Sequence, residues 1–135
     1  MSKTYIAGKV LMSAQATTGI GSIQPFRVKD YDKLTVCIAT SGTATLTVRC
    51  KGALGETAPT FTSAASATNP WGALQMIDLD DGSPVNGSTG VVVSGTDIVK
   101  LYEVNTNTID WLAFDVVSRS AGSVTITITP AGSDV

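Results

Sequence analysis

Residues 34–50 read LTVCIATSGTATLTVRC, and residues 112–128 read LAFDVVSRSAGSVTITI. In both stretches apolar side chains alternate with Thr and other polar or small ones, on either side of a centre that contains Ser and Gly. Such alternation is typical of half-buried β-strands, and a Ser/Gly-rich centre between two alternating runs favours a turn. The sequence therefore predicts two antiparallel hairpins, turning at 41–43 and 118–122, each belonging to one of two facing sheets.

Strand character extends beyond these two stretches. Turn-forming residues separate five further segments rich in apolar and β-branched residues: 5–12, 23–28, 71–79, 85–93 and 98–104. Asn86-Gly87 is a hairpin-turn signal, since both residues accept the positive φ of a type I′ turn. No segment has a sustained helical period. We therefore predict an all-β fold, an antiparallel β-sandwich of jelly-roll or Ig-like type with about eight strands.

The length of 135 residues fits one domain. We predict an N-terminal strand or extended arm at 1–22, a β-sandwich domain at 23–130 and a flexible tail at 131–135. Residues 52–72 are rich in Ala, Ser, Thr and Pro, so one long loop is expected there, forming a contact surface or folding against a neighbour. The arm is expected to lie along a neighbouring subunit. Removing 2–16 should then leave a folded domain that no longer assembles.

Charge is scarce in this sequence. Charged residues make up 15% of the chain and the net charge is −2, whereas nucleic-acid affinity depends on basic groups that contact phosphates. No apolar run approaches the roughly 20 residues of a membrane-spanning helix. Lys9 interrupts the apolar run at 5–12, which a signal peptide would need unbroken. We therefore expect synthesis in the cytoplasm, no direct nucleic-acid partner and no membrane partner.

The two cysteines, Cys37 and Cys50, are expected on opposite faces of the first predicted hairpin. Pairing Val36 with Val48 directs Cys50 towards the core and Cys37 away from it. Side chains on opposite faces of a sheet cannot reach disulfide geometry. Both thiols are therefore expected to stay reduced.

Catalytic chemistry has little support in the sequence. There is no histidine, which is the usual general base for Ser and Cys nucleophiles and the commonest zinc ligand. Six acidic residues are predicted to be solvated surface groups and not a catalytic pair: Glu56, Asp78, Asp97, Glu103, Asp110 and Asp115. Residues 78–82 resemble a calcium loop, but Gly82 and Thr89 stand where ligands are needed, so we predict a turn. We predict no enzyme activity, no cofactor and no metal.

Aromatic residues provide the candidate interaction surface: Tyr5, Trp71, Tyr102 and Trp111. Strand parity places Trp111 on the face opposite Leu112 and Phe114, outside the main core. Two interpretations of this position stay open. A neighbouring loop or subunit covers the ring, or the ring is a stacking platform for a sugar, because an aromatic body with a polar tip suits both roles.

The order of the strand motifs carries further information. Residues 31–36 read YDKLTV, residues 41–48 read SGTATLTV, and WLAF at 111–114 precedes a closing SAGSVTI at 120–126. In this order the motifs resemble those of small β-sandwich proteins in the virions of tailed bacteriophages, of the capsid decoration (cement) or fibre-module type.

This resemblance implies a non-enzymatic virion structural protein, most simply a capsid decoration protein. Such a protein would bind the major capsid protein or other virion proteins as a homo-oligomer, with a trimer favoured. The resemblance carries over no catalytic residue. The alternative is a carbohydrate-binding β-sandwich module of a phage fibre or bacterial surface protein, acting through Trp71, Tyr102 or Trp111.

Overall fold

A computed structural model describes the backbone of residues 2–5 and 8–134 and the side chains of residues 8–131. None of these residues forms a helix, and therefore none forms a helix long and apolar enough to cross a membrane. The described residues form ten strands: Ser2–Tyr5 (β1), Lys9–Gln15 (β2), Phe26–Arg27 (β3), Lys33–Ala53 (β4), Gly72–Ala73 (β5), Met76–Asp78 (β6), Pro84–Val85 (β7), Val91–Thr96 (β8), Val99–Asn105 (β9) and Trp111–Asp134 (β10).

Antiparallel hydrogen bonding joins all ten strands in one sheet. The order along the sheet is β1–β10–β4–β9–β6–β7, while β2 and β3 also pair with β10, and β5 and β8 also pair with β4. The prediction of an all-β antiparallel fold is confirmed. The predicted division into two separate sheets is wrong, since every strand belongs to the same hydrogen-bonded sheet.

The two predicted hairpins are instead two long, bent strands that pair with each other. Residues 33–41 of β4 pair with 123–131 of β10, and residues 45–53 pair with 111–121. Each arm of one stretch thus takes its partner from the other stretch. At the centre Gly42 has φ 72° and Gly122 has φ 83°, and the register shifts repeatedly. Bulges of this kind bend and twist a strand without reversing it.

One main core lies on the inner face of the bent sheet. Val36 and Val48, from the two halves of β4, are both fully buried, as are Val116 and Ile128 of β10. In the part of the chain that the structure describes, no helix and no second sheet covers these side chains. A single sheet can bury one face completely only when its two halves fold over each other. The bend therefore encloses the core.

The described parts of both predicted terminal segments pair in strands of this fold. Strand β2 pairs with 124–128 of β10, and its Leu11 and Met12 are 0% and 1% exposed in the main core. Strand β10 continues to Asp134 and pairs with β1. Of the two alternatives predicted for 1–22, the strand is the one that the structure shows, because β2 fills the edge of this chain's own β10. Removing 2–16 would take away core side chains.

Both cysteines lie as predicted. They are unpaired, with Cys50 buried in the main core and Cys37 half-buried on the outer face. Burial raises the pKa of the Cys50 thiol. The prediction that Cys50 faces the core and Cys37 does not is confirmed.

The two predicted turns differ in outcome. At 78–83 the chain turns as predicted, with the Gly82 N–H donating to the Asp78 carbonyl at 2.8 Å. Hydrogen bonds from Ser83 lower the pKa of the Asp81 carboxyl. The predicted hairpin at Asn86-Gly87 is wrong, since β7 pairs with β6 and β8 pairs with β4. Gly87 is required there by close packing, because a Cβ would lie 2.8 Å from the backbone of Leu74.

Candidate functional site

The long loop covers the outer face of one half of the sheet. Residues 54–71 connect β4 to β5 and carry Phe61, which is fully buried against Ala53 and Ala113 on that face. Ile20, Ala58, Trp71 and Trp111 pack around them and complete a second, smaller core. The predicted loop therefore exists, and it packs against its own sheet. We call this region, residues 54–71 with the strand positions beneath them, the covered side.

A buried ion pair lies at the centre of the covered side. The Lys51 Nζ is 2.6 Å from the Asp115 Oδ2 and donates a second hydrogen bond of 2.9 Å to the Phe61 carbonyl. The two side chains are 5% and 9% exposed. The prediction of a solvated Asp115 is therefore wrong, because the loop removes this carboxylate from water. Lys51 lies in β4, Asp115 in β10 and Phe61 in the loop, so these two contacts connect the loop to both long strands.

Both tryptophans help to hold the loop. The Trp71 indole donates its N–H to the Ser63 carbonyl at 2.8 Å, and the Trp111 indole donates to the Gly55 carbonyl at 3.0 Å. The Lys51 Nζ lies 4.2 Å from the ring centre of Trp71. Each indole is half-buried. Of the two interpretations of Trp111, covering by a neighbouring loop is the one that the geometry shows.

The two tyrosines of the candidate surface have different positions. Tyr102 faces the main core and is 2% exposed, which corrects its assignment to the surface. Its strand neighbours Leu101 and Glu103 take the outward positions. Burial and the negative charges of Asp78 and Asp81 raise the pKa of Tyr102 to about 12. The side chain of Tyr5 lies outside the described residues, and the backbone of Tyr5 pairs with Ala131.

Three of the other acidic residues contact separate parts of the chain. Asp110 accepts a hydrogen bond from the Gly55 N–H at 2.7 Å, and Asp97 accepts one from the Gly42 N–H at 2.8 Å. Asp78 lies 3.6 Å from Lys100. Within the described residues, no group of three or more His, Cys, Asp or Glu side chains could hold a metal ion. The acids therefore stabilise loops and bends.

On the outer face of the other half, no loop among the described residues covers the strands, and we call this face, around Cys37 and Leu101, the open side. The strand register brings Val10, Thr127, Cys37 and Leu101 into one row across four strands. The next row contains Thr125, Ala39 and Val99. Both rows are uncharged, and Val99 is 66% exposed. This surface could not be predicted from the sequence, because it depends on the long-range register of the strands.

The sheet and its two sides define the class of this protein: an all-β protein built on one bent antiparallel sheet, with a loop fastened over half of its outer face. Two solved structures share this fold. The SPBc2 prophage-derived protein YomS has a TM-score of 0.68 and 16% identity, covering 98% of this chain and 96% of YomS. The PBSX exported protein XepA has a TM-score of 0.71 and 11% identity, covering 98% of this chain.

The chain spans 39% of the length of XepA, so it corresponds to part of that protein. No protein-family model and no curated protein matches the sequence. At these identities the likeness to YomS and XepA is one of fold.

Proposed function

We propose that this chain is a non-enzymatic structural protein of a bacteriophage particle, a capsid decoration protein that binds the major capsid protein or another virion protein. The observation that carries the proposal is the shared fold. Over 98% of its length the chain follows a prophage-derived protein, YomS, which it matches nearly end to end. The motifs at 31–48 and 111–126, which resemble virion β proteins, independently favour the same class.

The distribution of charge supports a role in binding other proteins. On the covered side Lys51 and Asp115 neutralise each other inside the fold. On the open side the rows through Cys37 and Ala39 contain only Thr, Ala, Cys, Val and Leu. The centres of protein interfaces are depleted of charged residues in the same way. The open side is thus suited to a protein partner, and repetition on a lattice would strengthen each weak contact.

The proposal predicts that the chain is a fixed component of the particle. Particles of the phage that encodes it should be purified on a density gradient and analysed by quantitative mass spectrometry. The chain is expected to remain with the major capsid protein at a constant ratio through successive gradient fractions. A variant with Leu101→Glu and Val99→Glu should be depleted from the same fractions, because burying unpaired charge opposes binding. Recovery of the natural chain in the soluble lysate alone would contradict the proposal.

A further inference from the structure

Strand β8 lies at an open edge of the sheet. Its residues Val91–Thr96 pair with 43–48 of β4 in unbroken register. No other strand among the described residues pairs with it. The outward side of an edge strand presents a row of unpaired backbone N–H and C=O groups, and such a row is a template for a further strand.

The edge of β8 lacks the devices that usually prevent pairing with another chain. Monomeric proteins protect their edge strands with a charge, a proline or a bulge. Residues 85–96 read VNGSTGVVVSGT and contain no charged residue and no proline, and the pairing of β8 has no bulge. The edge at β2 is different, since it carries Lys9 and shifts register twice against β10.

The outward face of β8 carries an exposed apolar side chain. Val92 is 66% exposed, one of the eight large hydrophobic side chains that are exposed in the described part of the molecule. It lies directly opposite Thr47 of β4. A partner strand at β8 would shelter Val92 from water.

We propose that β8 pairs antiparallel with β8 of a second copy of this chain, about a two-fold axis, so that two ten-stranded sheets become continuous. A second copy fits this edge for three reasons. It offers a strand of equal length with the same unpaired backbone groups. It brings no like charges together, because 85–96 is uncharged. Antiparallel pairing centred on Ser94 also keeps Val91 and Val93 on the core face in both copies.

The inference rests on the proposed function, since it takes the chain to be an assembling protein, and it gives a dimer in place of the trimer that the family resemblance favours. A pairing of five residues from each copy, 92–96 when centred on Ser94, is weak by itself. The dimer is therefore expected to form reversibly in a concentration-dependent way and to be reinforced when copies are held close together on a lattice.

The test is sedimentation velocity of the full chain over a wide range of concentrations, with two matched variants. Val92→Lys places a charge beside the two-fold axis and is expected to weaken dimerisation at least about tenfold. Leu54→Lys makes the same charge change at a side chain that is 65% exposed, but on the loop. It should dimerise like the natural chain. A natural chain that stays monomeric, or equal dimerisation by both variants, would overturn the pairing.

A second readout locates the contact. In a Cys37→Ser background, Ser94→Cys should form a disulfide-linked dimer under mild oxidation, whereas Leu54→Cys should not. The reverse result would place the contact elsewhere. The outcome is separable from that of the proposed function. If the chain dimerises through β8 but is absent from particles, the pairing is supported and the virion role is contradicted. If the chain is bound to particles but does not form this dimer, the virion role is supported and the pairing is contradicted.

Discussion

Lys51→Met is expected to lower the free energy of unfolding by about 3–5 kcal/mol. The substitution leaves the Asp115 carboxylate buried beneath the loop without its cation, and it removes the hydrogen bond to the Phe61 carbonyl. Uncompensated burial of a charge is among the largest effects that one substitution produces. Urea unfolding measures this loss of stability when it is followed by the fluorescence of Trp71 and Trp111, which lie where the loop contacts the sheet.

Two controls separate the buried charge from the loss of a lysine. Lys51→Met combined with Asp115→Leu removes both charges and should regain most of the lost stability, since replacing a complete buried pair by apolar side chains is often neutral. Lys100→Met breaks the pair with Asp78, in which the lysine side chain is 45% exposed, and should cost about 0–1 kcal/mol. Equal losses for Lys51→Met and Lys100→Met would contradict the buried ion pair.

Gly122→Ala is expected to destabilise the protein by about 2–5 kcal/mol. Gly122 lies at the bend of β10 with φ 83°, a conformation that disfavours any residue with a Cβ. A Cβ there would also lie 2.5 Å from the Cβ of Ala44, which is fully buried. The strained backbone and the overlap across the bend therefore add. Thermal or urea unfolding of the variant measures the sum.

Gly42→Ala is the matched control for the bend. Gly42 has a similar φ of 72°, but nothing lies within 4 Å of the position of its Cβ. Only the backbone contribution of about 1–2 kcal/mol is expected. If Gly122→Ala destabilised the protein no more than Gly42→Ala, the result would contradict the close approach of β10 to Ala44 at the bend.

Alternation within a strand predicted which side chains face the core. Leu34, Val36 and Ile38 are buried and Thr35 is exposed, as their spacing indicates. The period of two is a local property of an extended chain, so it can be read without knowing the partner strand. The same locality explains why the two thiols could be assigned to opposite faces.

The partner of each strand could not be derived in this way. Ser41-Gly42-Thr43 supplies a glycine with positive φ, and both a hairpin turn and a bulged bend use such a glycine. The choice between them depends on pairing with residues about eighty positions away, for which local sequence holds no signal. Two hairpins and two bent strands therefore predict the same pattern of alternation.

Parts of the candidate site depend on the same long-range pairing. From the sequence alone, Lys51 is an outward-facing residue of a strand. Its partners, the Phe61 carbonyl and Asp115, come from the loop and from β10, which local sequence does not connect to it. Tyr102 is predicted at the surface, but the register of β9 places it opposite Val36, on the core face. The exposed valine of β8 is the feature for which the sequence did carry a signal. In Val91-Val92-Val93 the apolar residues occupy both faces of the strand, and the middle residue is the exposed one.

The pairing of bent β4 with bent β10 is the claim on which the loop attachment, the open side and the β8 edge all depend. It can be tested by introducing a single thiol. Cys37 lies directly opposite Thr127 in the structure, whereas a hairpin at 34–50 would place it opposite Thr47. Directly paired residues on one sheet face lie within disulfide range. Under mild oxidation, with peptide mapping by mass spectrometry, Thr127→Cys should form an intramolecular disulfide with Cys37 and Thr47→Cys should not. A disulfide in Thr47→Cys and none in Thr127→Cys would contradict the account.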